Sequence, residues 1–339
     1  MSTINLGVIG LGRMGRIFSR HLRRRGDGVR LAAVASRRVE EATRFLGDDS
    51  DITLYTDLHD LVADPAIHGV VIASHTDEHK EAVLAAAAAG KAIFCEKPLA
   101  LTLADVDLML AAVNRAGVLF QIGFMRRFDR GYVAAKQQIE AGVIGTPLVA
   151  HAVSRDPDCP DPAWAALERS GGLIVDMGIH DLDILRWLMD DEVTRIRAVG
   201  SVQSCPQLAA VGDIDTALMQ LEFAHGALGN VEVARNGRYG YEISAEIRGS
   251  EGTLRIGYLR DTPVLLLNRE GVHHDVVAWF EERFTPAYNA QLDHFADCIR
   301  DGVAPRAGGA DARIALQMAL AARQSLTTGA AVAVDGVEA

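Results

Sequence analysis

The sequence predicts an α/β fold in two domains, the first a doubly wound Rossmann domain. Three observations carry this expectation. The chain opens on an apolar run that breaks at a glycine-rich turn, apolar runs and helical patterns then alternate as far as Gly123, and strand-length runs recur from Leu148 onward. At 339 residues the chain exceeds the usual single-domain size. The boundary is expected at Gly123, giving a Rossmann domain over 1–123 and an α/β domain over 124–339.

The first strand, Ile4 to Ile9, runs into Gly10-Leu11-Gly12-Arg13-Met14-Gly15, and a helical pattern begins with Ile17, Phe18 and His21. In such a strand-turn-helix unit Gly10 permits the tight turn, Gly12 lets backbone approach a pyrophosphate, and Gly15 lets helix and strand pack closely. Around Arg13 and Met14 the helix N-terminus offers free N–H groups and a positive dipole end to phosphate. A second strand, Val29 to Ala35, follows at βαβ spacing. A carboxylate at its end would grip ribose hydroxyls, but Ser36-Arg37-Arg38 stands there. Serine can bond a ribose and either arginine can meet a 2′-phosphate, so NAD and NADP both remain open.

The buried strand Val70 to Ala73 ends in Ser74-His75-Thr76-Asp77, a polar crevice and helix start where a cofactor can lie. Strand Ala92 to Cys95 ends in Glu96-Lys97-Pro98. Pro98 forces Lys97 out of helical geometry, so an ammonium is held at a strand's carboxyl end, where it can favour an alkoxide. The bland alternative for Glu96 and Lys97 is a surface ion pair before a proline turn. Helix 102–115 and strand Val118 to Ile122 complete the sheet.

Composition narrows the class. Hydrophobic residues make up 49% and charged residues 23%, which excludes disorder. A net charge of -11 argues against a nucleic-acid partner. Cys95, Cys159, Cys205 and Cys298 share no short repeated spacing, so neither a zinc site nor a disulfide framework is expected. No signal sequence or membrane-length apolar run is seen, and the expected location is the cytoplasm.

The chemical centre is expected at Asp176-Met177-Gly178-Ile179-His180-Asp181-Leu182-Asp183, where a helical pattern starts. At 3.6 residues per turn Asp176, His180, Asp183 and Trp187 share a face, so carboxylates flank an imidazole able to relay protons near neutral pH. Ser170-Gly171-Gly172 before it would admit a ligand close to the backbone. The alternative is a satisfied core histidine with two aspartates that cap or solvate the helix.

Together, Gly10-x-Gly12-x-x-Gly15, Glu96-Lys97-Pro98 and Asp176-x-x-x-His180 resemble the glucose-fructose oxidoreductase/inositol dehydrogenase/MocA family over nearly the whole chain. Gly123-Phe124-Met125-Arg126-Arg127-Phe128-Asp129, Ser154-Arg155-Asp156-Pro157, His180-Asp181-Leu182-Asp183 and Tyr239-Gly240-Tyr241 are closer still to its inositol 2-dehydrogenase branch. The resemblance implies a second domain with an open, mostly antiparallel sheet that forms one wall of the active site and an oligomer surface, as dimer or homotetramer. Runs at Leu148 to Ser154, Thr194 to Val202, Asp215 to Phe223, Gly226 to Ala234, Tyr241 to Gly249 and Gly252 to Ile256 fit that plan, with helices at Leu292 to Ile299 and 310–326. The last helix would return to the first domain. The chain departs from the branch in having Ser36 for an acid, Gly178 for threonine, and Cys159-Pro160-Asp161 in a usually proline-rich loop.

What the resemblance implies is oxidation of a cyclic polyol hydroxyl by NAD(P), with Lys97 and His180 on that hydroxyl and Asp176 orienting the imidazole or binding a neighbouring hydroxyl. Arg127, Asp156, Asp183 and Tyr239 are the further substrate-binding candidates, and no metal is implied. Competing expectations are a dehydrogenase of another sugar, an NAD-using glycosidase, a metal-dependent hydrolase built on Asp176, His180 and Asp183, and a non-catalytic dinucleotide sensor.

Overall fold

A computed structural model describes residues 3–26, 28–47, 49, 51–257 and 260–337. The chain forms two compact units, one of Met1–Phe124 with Tyr288–Arg313 and one of Met125–Ala287 with Ile314–Ala339.

The first unit alternates strand and helix: β1 (Ile4–Ile9), α1 (Arg13–Arg24), β2 (Val29–Ala35), α2 (Val39–Leu46), β3 (Thr53–Tyr55), α3 (Leu58–Ala63), β4 (Gly69–Ile72), α4 (Thr76–Ala88), β5 (Ala92–Cys95), α5 (Leu103–Ala116) and β6 (Phe120–Ile122). All six strands are parallel in the order β3-β2-β1-β4-β5-β6, with the order reversing beside β1, as in a doubly wound dinucleotide fold. Continuous apolar strands suit a sheet covered on both faces: all of β4 is buried, as are Val8, Val34 and Phe94. Ile9 pairs with both Ala35 and Ile72, and Ile72 with Cys95, so four strands end level. Every cofactor candidate lies just beyond that edge.

The second unit begins with a 3-10 turn at Met125–Phe128, then α6 (Arg130–Glu140), β7 (Pro147–Arg155), the single turns α7 (Pro162–Ala165) and α8 (Leu167–Ser170), and α9 (Ile179–Met189). There follow β8 (Val193–Ser201), β9 (Thr216–Phe223), β10 (Leu228–Ala234), β11 (Glu242–Gly249), β12 (Thr253–Ile256) and an isolated hairpin of β13 (Leu266–Asn268) and β14 (Gly271–His273). Two long helices, α10 (Phe280–Asp301) and α11 (Gly309–Thr328), precede β15 (Val332–Ala333). The seven-stranded sheet, β12-β11-β7-β10-β9-β8-β15, is antiparallel except where β7 runs parallel to β10. Its inner positions, such as Ala150, Val231 and Met219, are fully buried. The outer face carries the directly paired Val199 and Leu218, both largely exposed, and Leu228.

The predicted fold class is the one found, with three local differences. Cys159 and Cys205 form a disulfide across 46 residues, against the expectation of none. Its partners approach only because the turn after β7 meets the turn before β9, a tertiary contact that spacing cannot encode. The helix expected at Leu292 to Ile299 is the tail of the much longer α10, which continues through Pro286. Its Tyr288 onward part belongs with the first unit, where Phe295 packs edge-on to Phe94, Tyr288 to Phe18, and Asp293 pairs with His21 and Arg25. Of α11, Gly309–Arg313 falls in the first unit and the remainder in the second, where Ser325 accepts from the Ala198 N–H.

Candidate active site

The candidate residues fall into one group on each unit. On the first, Gly10 has φ +91° and stands so close to Ser74 that an added Cβ would lie 2.7 Å from the Ser74 Cα. At Gly15 a Cβ would lie 1.9 Å from the Gly10 carbonyl oxygen, so α1 packs against the turn only because that position is glycine. Gly12, by contrast, faces open space at the head of α1, whose N-cap has no side-chain hydrogen bond. Arg13 is exposed and Met14 half-buried beside it. A tight turn, an uncapped helix start and open approach at the middle glycine suit a pyrophosphate.

Ser36 follows β2, its N–H bonded to the Tyr55 carbonyl and its Oγ accepting from the Arg38 N–H at 3.2 Å. Arg37 pairs with Glu78 at the start of α4, and Arg38 lies 3.7 Å from Glu41; both arginines are strongly exposed. The Ser74 Oγ is buried without a hydrogen-bond partner among the described residues, and His75 precedes α4. His79, which sequence reasoning passed over, ties two of these turns together. Its Nδ1 lies 3.0 Å from the Pro98 carbonyl and its Nε2 3.3 Å from the Ser74 carbonyl, with burial pushing the ring towards its neutral form.

Glu96 and Lys97 are not the surface pair of the bland alternative. The Glu96 carboxyl is buried, one oxygen accepting from the Lys97 N–H at 3.1 Å and the other unpartnered among the described residues. Burial drives its pKa from 4.5 up to about 7, and the neighbouring Lys97 charge only partly offsets this. Gly123 leaves room for it, since a Cβ there would lie 3.1 Å from the carboxylate. The Lys97-Pro98 peptide is cis.

On the second unit the expected helix start is different in kind. Ile174–Gly178 is a π-helical segment and regular α-helix begins only at Ile179, so Asp176 sits in the wider turn and the 3.6-residue spacing to His180 does not apply. Gly171 and Gly172 do not admit a ligand as expected: a Cβ on them would strike Val175 and the Asp213 carboxylate. Asp213 needs that space to accept the Leu173 N–H at 2.9 Å, which fixes the entry to the π turn. His180 is buried on α9 beside fully buried Ile184, Leu185 and Leu188.

Asp156, directly after β7, and Asp176 are brought together by a residue that sequence reasoning missed. Arg235 donates from Nη2 to Asp176 at 3.2 Å and places Nη1 3.6 Å from Asp156. The clue was its phase: it follows Val231 and Val233 on the inward side of β10, an odd place for an arginine. Arg127 and Asp183 are also paired, at 3.0 Å through Nε, both sealed from solvent. Beside them Arg126 donates to Asp181 and, at 2.9 Å, to Ser154, whose hydroxyl bonds Asp181 at 2.8 Å. Burial disfavours the Arg126 cation, but Asp181 together with Tyr132 and Tyr241 outweighs it, and the guanidinium pKa is raised. Tyr239 lies apart on a more exposed patch, its hydroxyl shared between Glu242 and Arg155, the latter at 2.8 Å. Among the described residues no cluster of three or more His, Cys, Asp or Glu side chains is arranged to hold a metal ion.

A doubly wound dinucleotide fold followed by an open-sheet α/β domain defines a class of nicotinamide-dependent oxidoreductase. Residues 4–124 match the family described as "Oxidoreductase family, NAD-binding Rossmann fold", and residues 136–334 match "Oxidoreductase family, C-terminal alpha/beta domain". The chain belongs to this glucose-fructose oxidoreductase/inositol dehydrogenase/MocA family. It is 37% identical to scyllo-inositol 2-dehydrogenase (NAD(+)) of Bacillus subtilis, over 98% of this chain and 96% of that one. It is likewise 37% identical to myo-inositol 2-dehydrogenase of Thermotoga maritima, over 98% and 99%. The crystal structure of scyllo-inositol dehydrogenase from Lactobacillus casei with bound NAD(H) and scyllo-inositol has a TM-score of 0.92 to it at 28% identity, covering 99% of this chain and all of that one.

Proposed function

We propose that this protein oxidises a ring hydroxyl of a cyclic polyol of the myo- or scyllo-inositol type to a ketone, using NAD. The observation that carries the reading is the end-to-end similarity to two inositol 2-dehydrogenases. Uncapped α1, the open approach at Gly12 and the orphaned Ser74 hydroxyl suit the dinucleotide. When bound, the nicotinamide supplies the hydride acceptor at C4. His180 takes the hydroxyl proton as the carbon becomes a ketone, and the Lys97 ammonium stabilises the developing oxyanion. Asp176 orients the imidazole, while Asp156, Arg127, Asp183 and Tyr239 shape the polyol site. Of these, Arg127 and Asp183 act as a mutually neutralised pair, so their part is to hold the wall rather than to offer a free charge.

Two further parts of the proposal concern context. The exposed Val199, Leu218 and Leu228 on the outer sheet face support a homo-oligomer, dimer or tetramer, assembled through that face. No described helix is long and apolar enough to cross a membrane. We place the protein in the cytoplasm, where the state of the Cys159–Cys205 bond follows the thiol poise of the cell. A screen of NAD and NADP against myo-inositol, scyllo-inositol and common aldoses, read by nicotinamide absorbance, tests substrate and cofactor together. Reduction with an aldose and none with either inositol would overturn the polyol assignment.

A further inference from the structure

Resting on the reading just given, we infer that Arg235 is a positioning residue whose guanidinium sets the charge and aim of Asp176 while also holding Asp156. The side chain is 2% exposed, with one amino group on each aspartate, at 3.2 and 3.6 Å. Its Nε has no hydrogen-bond partner among the described residues. A cation so thoroughly removed from water is costly unless carboxylates compensate it, so the arrangement is held by charge rather than by packing alone.

Four elements converge on this group. Arg235 follows β10, and its N–H donates to the Asp215 carbonyl at 2.8 Å, which fixes the backbone. Asp156 arrives from β7 and Asp176 from the π turn. Trp164 of α7 covers the guanidinium, the ring centroid lying 5.6 Å from Cζ. The fourth is the turn before β9, where Asp213 is a third carboxylate in the same field. Burial raises its pKa, the Asp176 charge adds to that, and Arg235 works against it. Tyr241 faces Asp156 from the start of β11, its phenol raised first by burial and then by that carboxylate. One guanidinium therefore serves three acids. Asp176 stays ionised and in one orientation because Arg235 is present.

The test uses the full-length protein with labelled aspartate carboxyls, Asp176 being assigned by its loss in Asp176→Asn. In Arg235→Met the Asp176 titration midpoint is expected to rise by roughly one to three pH units, as for a carboxylate losing a contacting cation. The acid limb of kcat/KM with polyol moves up with it. Arg235→Lys restores the midpoint but not the full kcat, because an ammonium cannot span both aspartates. Asp156→Asn, which leaves the guanidinium to Asp176, lowers the midpoint. An unmoved Asp176 midpoint in Arg235→Met or Asp156→Asn overturns the inference. If Arg235→Met does not fold, Asp156→Asn decides alone. Should the wild-type protein oxidise no polyol, the functional reading fails, and the carboxyl titration still tests Arg235.

Discussion

The two units carry their candidate residues by opposite means. In the first, the candidate site is backbone: a Cβ on Gly10 or Gly15 would lie under 3 Å from neighbouring backbone atoms, while Gly12 and the start of α1 offer N–H groups outward. In the second it is buried charge, with Arg126–Asp181, Arg127–Asp183 and Arg283–Asp129 nearly sealed from solvent and Arg235, itself sealed, paired with a half-buried Asp176. Backbone geometry of this kind suits a pyrophosphate, and at Gly10 and Gly15 it leaves no room for a side chain. A buried pair fixes local shape and charge through desolvation and mutual compensation, so a change to one partner calls for a change to the other.

The largest expected effect breaks the second unit's chemistry and leaves the first unit's binding intact. His180→Ala should lower kcat by on the order of 10² to 10⁴, with the dinucleotide Kd, measured by fluorescence titration, unchanged. Near wild-type turnover at every pH would remove the proton relay from His180.

Next is the tether between the turns at Cys159 and Cys205. Closing 46 residues is worth about 4 kcal/mol in the chain-entropy description, so Cys159→Ser should lower the thermal midpoint of oxidised protein and abolish its sensitivity to dithiol. Equal midpoints with and without reductant in the wild type would show that the bond is not formed in solution.

Glu96 gives a smaller effect in the other unit, with a definite sign. Its pKa is 4.5 ordinarily and about 7 when folded, so between those values the folded protein keeps a proton that the unfolded chain has released. Stability therefore falls as pH rises through that window. Glu96→Gln removes the loss, and its advantage over wild type should grow to roughly 3 kcal/mol above pH 7, read from denaturant midpoints on the apo protein. A constant difference across the window would mean that Glu96 ionises normally.

The smallest effect sharpens the cofactor end of the comparison. Ser36→Asp places a carboxylate where β2 ends and should favour NAD over NADP by about tenfold, near 1.4 kcal/mol. The ratio of kcat/KM values for the two cofactors reads it directly.

Much of the first unit was legible in the sequence because each of its functional devices is local. Glycine, proline and an apolar run constrain backbone within a few residues, and β1, β4 and β5 each end where such punctuation stands. Lys97 and His180 were legible as chemistry-bearing types at the edges of such elements. Arg235 was not, although its phase with Val231 and Val233 was visible, because the acids that justify an inward arginine lie about 60 and 80 residues away. The π turn around Asp176 was hidden too, since the periodicity of its apolar residues fits an ordinary helix.

By itself the sequence determined the α/β plan, the strand-glycine-helix opening and the residue types available for proton and hydride chemistry, all set by short-range sterics and periodicity. Only the tertiary structure decided which acid meets which base, that Cys159 finds Cys205, and that Glu96 is buried rather than solvated. Those outcomes depend on desolvation and on contacts between segments remote in the chain, where the energy of a charge is fixed by what surrounds it rather than by its neighbours in sequence.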